Sequence, residues 1–243
     1  MMIPSFFRVR HLDVTGSTND DAKKAAEAGE AEGLVIHALR QTAGRGRMGR
    51  TWESPEGNLH FSILLRPQCS PVEAGYFSFA AALALHDAVL DFMPSASMQL
   101  KWPNDVLIEG KKVGGVLLET SLIENKKVDW LVIGVGMNLA HCPETALYPT
   151  TSLLNEGAVP DVDKALMAFL YNFNHWRLTL HHDGFRPVRR AWLADAKTGS
   201  MTVRLPQGEI HGDFASLDEN GGLILRLADG AEKVVDAGDV FFP

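Results

Sequence analysis

The chain has 243 residues, 46% hydrophobic and 22% charged, the composition of an ordinary globular protein with room for one large domain or a main domain and a small appendage. Its formal net charge of −7 and pI near 5.7 argue against diffuse binding to nucleic acid, which depends on a basic surface that releases counterions from phosphates. Cys69 and Cys142 stand far apart without a CxxC pattern, so neither a disulfide framework nor a zinc cluster is implied.

Residues 1–14 lack the basic start, apolar stretch and cleavage site of a secretory signal, and the reading is a soluble, cytoplasmic protein with no membrane partner. Residues 6–14 read as a strand. Ser17, Thr18, Asn19 and Asp20 then supply cap-type side chains for a helix that Gly29 stops. Capping alone accounts for them, although a helix N-terminus also offers free N–H groups and short hydroxyls to a polar ligand.

Strand patterns at 33–39 and 59–65 enclose the segment Gly44-Arg45-Gly46-Arg47-Met48-Gly49-Arg50-Thr51-Trp52. Arginine presents a planar fork of donors that matches carboxylate and phosphate oxygens, and glycine lets backbone N–H groups come close. In low-complexity sequence such a run reads as a nucleic-acid tract or a solvated turn. Between two core strands it reads as a site for a small anion.

Residues 71–93 form an alanine-rich apolar helix, interrupted by His86 and Asp87 and therefore no membrane span. Strand patterns follow at 98–102, 105–108, 113–121 and 129–139, with a turn at 109–111, and together predict a largely antiparallel sheet. This stretch contains Lys101-Trp102-Pro103-Asn104-Asp105 and Gly134-Val135-Gly136-Met137-Asn138. Residues 163–180 have helical spacing, and Trp192 closes a second, shorter helix. Beyond Lys197, short alternating runs at 201–205, 208–217, 222–227 and 232–235 are separated by Pro-Gln-Gly, Asp-Glu-Asn-Gly-Gly and Asp-Gly turns, the texture of a small β-barrel. The expected division is 1–196 for the main domain and 197–243 for the barrel.

The three motifs, in this order and over essentially the full length, resemble the catalytic module of biotin–protein ligases. The resemblance implies an α+β fold of the class II aminoacyl-tRNA-synthetase-like, biotin–lipoate ligase type, with a mixed, largely antiparallel sheet, flanking helices and a C-terminal SH3-like barrel. It also implies a two-step reaction. Biotin and ATP give biotinyl-5′-AMP, and the ε-amine of a lysine on a biotin carboxyl carrier protein then takes the biotinyl group. By the same resemblance Arg47, Lys112 and Arg45 are catalytic, while Ser17, Thr18, Asn19, Gln41, Arg45, Gly46, Arg47, Lys112, Gly115 and Gly134 bind biotin. Arg47, Arg50, Trp52, Lys101, Asn104, Asp105 and Asn138 match the ATP side, with Mg²⁺ expected and Asp105 its direct or water-mediated contact. Trp102 and Pro103 read as packing that fixes the polar pair beside them.

Two departures are visible. Position 48 is Met where some members carry arginine, which leaves three charges in the loop. The segment ahead of Ser17 is too short for a helix-turn-helix, so the resemblance is to monofunctional members that do not bind DNA. Long edge strands leave two alternatives open, pairing of two copies as a homodimer or cover by loops. Two rival readings stand beside this one. A lipoate or octanoate ligase shares the acyl-transfer logic but usually carries an arginine pair, a glycine cluster and His-Asp. A non-catalytic sensor would keep the pocket and lose turnover.

Overall fold

A computed structural model describes residues 2–122, 127–144 and 148–242. The main sheet has seven strands: β1 (Arg8–Thr15), β2 (Leu34–Gln41), β3 (Leu59–Leu65), β4 (Met98–Lys101), β5 (Asp105–Ile108), β6 (Lys111–Leu122) and β7 (Val128–Met137). Their spatial order is β1-β2-β3-β7-β6-β5-β4, with β1 and β2 parallel and every other neighbour antiparallel. All of β3 is buried, because both faces of the sheet are covered at its centre.

Three helices supply that cover. On one face α1 (Thr18–Glu27) turns Ala22, Ala25 and Ala26 onto Leu34, Ile36, Leu64, Trp130 and Val132. Small alanines let the helix lie close to the strands. On the other face α2 (Pro71–Leu90) and α3 (Val162–Asp183) pack with Phe61, Ile63, Ile133 and Val135. α2 starts where Ser70 accepts from the Glu73 amide and the Glu73 carboxylate accepts from the Ser70 amide, with Pro71 at the first helical position. Asp161 caps α3 by accepting from the Lys164 amide at 2.9 Å, and Gly184, at φ 75°, ends it before α4 (Phe185–Ala194).

The C-terminal strands β8 (Ser200–Leu205), β9 (Gly208–Leu217), β10 (Leu223–Arg226), β11 (Glu232–Val235) and β12 (Asp239–Phe241) make a five-stranded antiparallel sheet in the order β11-β10-β9-β8-β12. The sequence pattern announces four of these strands and misses β12. Met201, Val203, Leu217, Leu223, Leu225, Val235 and Val240 share one core cluster with Phe79, Phe185 and Trp192 of the helical layer. Polar ties reinforce that join: Trp102 Nε1 donates to the Gly221 carbonyl at 3.0 Å, and Arg189 Nε donates to the Leu217 carbonyl at 3.1 Å. Trp102 therefore packs as expected, but against the C-terminal sheet.

Candidate functional site

An open cleft of about 930 Å³ lies on the α1 face of the main sheet, and β12 closes one side of it. Its lining comes from widely separated stretches of chain, from Ser17 to Phe241. The sheet can host it because β7 carries glycine where neighbours come close. A Cβ on Gly134 would collide with the Asn19 amide, and a Cβ on Gly136 would collide with the Trp52 indole.

One end of the cleft is neutral and already hydrogen-bonded. Gln41 Oε1 accepts from the Thr18 amide at 2.8 Å and from Thr18 Oγ1 at 3.1 Å, while Gln41 Nε2 donates to Ser54 Oγ at 2.8 Å. Ser62 Oγ lies 2.7 Å from Thr18 Oγ1 and 2.5 Å from Asn19 Oδ1. Ser17, Thr18 and Asn19 are all buried, and Ser17 caps α1 by position without a side-chain bond. Capping is thus not what these side chains do. They form a polar floor.

The other end is ionic. Asp105 holds Lys112 through Oδ1 and faces Lys101 through Oδ2 at 3.7 Å. Both lysines also lie against aromatic faces: Lys101 Nζ is 4.6 Å from the centre of the Tyr148 ring, and Lys112 Nζ is 5.3 Å and 5.4 Å from the Trp52 and Tyr148 ring centres. Burial pushes the Lys101 ammonium and the Arg47 guanidinium below their usual pKa ranges. Gly115 stands opposite Asp105, where a Cβ would crowd Lys112 Nζ to 3.2 Å. Asn104 donates to the Val116 carbonyl, which ties the turn after Lys101 to β6, and Asn138 donates to the Thr151 carbonyl at 3.0 Å, which ties the end of β7 to the segment beside Lys112. Asn138 does not line the cleft.

The arginine loop spans both ends. Its base is an isolated bridge between Arg45 and Thr51, with the Gly46 amide donating to the Arg50 carbonyl at 2.7 Å and the Trp52 amide to the Gly44 carbonyl at 2.9 Å. Arg45 turns away from the ionic end: its fork donates to Asp20 at 2.8 and 2.7 Å and to Glu119 at 2.9 Å. Arg50 pairs with Asp239 of β12. Met48 sits at the tip with φ 54° and is 70% exposed, which accounts for the tolerance of a non-arginine there.

The structure therefore brings Ser17, Thr18, Asn19, Gln41, Arg45, Gly46, Arg47, Arg50, Trp52, Lys101, Asn104, Asp105, Lys112, Gly115 and Gly134 into one cleft. Sequence reading missed Asp20, Glu119, Gly136, Tyr148 and Asp239. Of these, Gly136 carried a signal as the second glycine of a quoted motif, and Asp20 only as a cap-type residue of the first helix. Among the described residues, no three His, Cys, Asp or Glu side chains gather in a group able to hold a metal. Both oxygens of Asp105 face lysines, so this donor set does not fit a resident Mg²⁺ ion.

Comparison with known proteins agrees with this geometry. The family model for the biotin/lipoate A/B protein ligase family matches residues 12–138, and that for the biotin protein ligase C-terminal domain matches residues 201–242. A biotin–[acetyl-CoA-carboxylase] ligase of Paracoccus denitrificans is 41% identical over 94% of this chain and 98% of its own length. The protein of that name from Mycobacterium tuberculosis is 37% identical over 95% of this chain and 88% of its own. Among solved structures, the biotin protein ligase of Aquifex aeolicus in complex with biotin and ATP superposes with a TM-score of 0.81 at 27% identity, covering 96% of this chain and 97% of that one.

Proposed function

Because the chain belongs to the biotin/lipoate A/B protein ligase family, we infer that it is an ATP-dependent ligase which activates biotin as biotinyl-5′-AMP and transfers it to a lysine ε-amine of a biotin carboxyl carrier protein. The observation that carries this reading is the division of one cleft into a neutral floor and a cationic end. A ureido ring needs neutral hydrogen-bonding groups in a close-fitting slot. A carboxylate and a triphosphate brought together need cations already in place, because each like-charge contact otherwise costs several kcal/mol.

In the first step the biotin carboxylate oxygen forms a bond to the α-phosphorus and the bond to pyrophosphate breaks. Arg47 and Lys112 are assigned to the carboxylate and α-phosphate oxygens, and Lys101 and Arg50 to the nucleotide. Trp52 Nε1 is buried without a partner among the described residues, which supports a ligand acceptor beside it. In the second step the lysine amine attacks the acyl carbonyl, AMP leaves, and the amine loses a proton. Arg45 is assigned to anchoring the loop over the anhydride so that water stays out, rather than to the phosphates. Any Mg²⁺ enters with the triphosphate and no step here depends on a protein-held ion.

The working units are 1–196 for the chemistry and 197–243 as the sheet that supplies Asp239, Val240 and Phe241. Among the described residues no helix is long and apolar enough to cross a membrane, and a cytoplasmic location is proposed with it. Pairing of two copies through an open sheet edge is a further proposal, to be checked by mass photometry with and without biotin and ATP. The test of the activity is labelled pyrophosphate exchange into ATP with biotin, lipoate and octanoate offered separately. Exchange with biotin alone is expected; exchange indifferent to biotin would overturn the assignment.

A further inference from the structure

Glu119 sits on β6, outside the lining of the cleft, and no step of the reaction needs it to touch a substrate. It is nevertheless the most heavily bonded carboxylate near the site. Oε2 accepts from Asn19 Nδ2 at 2.7 Å and from Arg45 Nη2 at 2.9 Å, and Oε1 accepts from Lys23 Nζ at 2.9 Å. Its side chain is 26% exposed, and although burial works against the charge, these three donors hold its carboxyl below the usual range.

An ionised carboxylate is an acceptor only, whereas an asparagine amide has one acceptor end and one donor end. The contact with Glu119 therefore decides which way the Asn19 amide lies. Nδ2 must face Glu119, and Oδ1 must face the Ser62 hydroxyl, 2.5 Å away. What remains for a ligand is one N–H on Nδ2 and one lone pair on Oδ1, at fixed places on the cleft floor. Gly134 lies so close beneath that the amide has no second place to go. The same carboxylate also clips Arg45, and through it the base of the arginine loop.

We propose that Glu119 is a positioning residue for biotin recognition: it locks the donor and acceptor ends of the Asn19 amide for the ureido group and ties that setting to the loop through Arg45. The proposal rests on the ligase reading above. Asp20 provides the contrast, because it bonds Arg45 and Lys23 but makes no bond to Asn19.

The experiment measures KM for biotin and for ATP in pyrophosphate exchange, together with melting temperature, for the wild type, Glu119→Gln and Asp20→Asn. Glutamine keeps the size but can donate as well as accept, so the Asn19 amide loses its imposed direction. The expected result is a rise of about tenfold in biotin KM for Glu119→Gln with ATP KM within about twofold, the scale of one lost charge-assisted hydrogen bond. Asp20→Asn should leave biotin KM within about twofold and lower kcat through the loop. An unchanged biotin KM in Glu119→Gln overturns the proposal. So does an equal rise in Asp20→Asn, which would place the whole effect in the Arg45 clip, and so does a parallel rise for both substrates with a fall in melting temperature, which would make Glu119 merely structural. If the wild type exchanges without biotin, the ligase reading fails instead.

Discussion

The two ends of the cleft are built on opposite plans. At the floor, Thr18, Asn19, Gln41, Ser54 and Ser62 are neutral and bond one another, so their directions are set before any ligand arrives. At the ionic end, four lining cations, Arg47, Arg50, Lys101 and Lys112, face two lining carboxylates, Asp105 and Asp239. Arg45 is balanced from behind by Asp20 and Glu119, but no carboxylate of the described residues pairs with Arg47 within salt-bridge distance. The floor is organised by hydrogen bonds and should resist changes of pH. The ionic end carries an excess of charge that only a polyanion neutralises, and it should respond to the loss of any one cation.

The sharpest attempt to break this contrast is Arg47→Ala. Removing a preorganised donor at the site of developing charge commonly costs roughly 2.7–4 kcal/mol in the transition state. Biotin-dependent pyrophosphate exchange should fall about 100- to 1,000-fold while the melting temperature stays close to that of the wild type. Lys112→Ala should fall in the same range, and the double variant should lose less than the product of the two if both side chains act on one acyl-phosphate. Near-normal turnover in Arg47→Ala would mean that the charged end is organised around another residue.

At the floor the corresponding variant is Gly134→Ala. Its methyl group would collide with the Asn19 amide, and overpacking of this kind costs about 1–3 kcal/mol. Biotin KM, read in the same exchange assay, should rise tenfold or more with ATP KM little altered. A rise confined to ATP would invert the assignment of the two ends.

Titration separates the ends further. Burial places the Lys101 ammonium below its usual pKa of 10.5, so its charge is lost as pH rises through that lowered value. Ser17, Thr18, Asn19 and Gln41 do not titrate in this range. Steady-state kinetics from neutral to alkaline pH should show ATP KM rising severalfold on the alkaline side with biotin KM flat, and Lys101→Arg should shift that rise to higher pH. A biotin KM that rises in step would show that the ends are not independent.

The smallest effect concerns the loop, expected from its glycines and repelling arginines to be mobile without ligand and ordered with biotinyl-adenylate. Its base amides at Gly46 and Trp52 are already hydrogen-bonded, whereas Met48 at the tip is exposed. Hydrogen exchange should therefore show a modest gain of protection on adding biotinyl-adenylate, concentrated at 47–50. Equal protection in both states would describe a preformed loop.

Much of the fold was legible because the periodicities are clean. The strand at 59–65 and those at 105–108 and 208–217 coincide with their predicted bounds, and the apolar helix expected from residue 71 begins there as α2. β12 was not legible: three residues beside a run of phenylalanine show no alternation, and only pairing with β8 makes them a strand. The same limit applies to side chains. Residues within contiguous motifs, such as Lys101 and Asp105, could be read from chemistry and resemblance. Glu119 and Asp20 look like the solvated charges of any amphipathic strand or helix, and their meaning arises only when β6, α1 and the loop meet at Arg45.

Arg50 and Asp239 lie 189 residues apart in the chain. During synthesis the arginine loop leaves the ribosome early, and its counter-charge on β12 follows only after nearly all the rest of the protein has been made. A growing chain thus carries a loop that can be held at Arg45 but not yet at Arg50, beside a cleft with one side missing. Closure of that side awaits the docking of β12, and shorter nascent chains lack the wall that Asp239, Val240 and Phe241 supply.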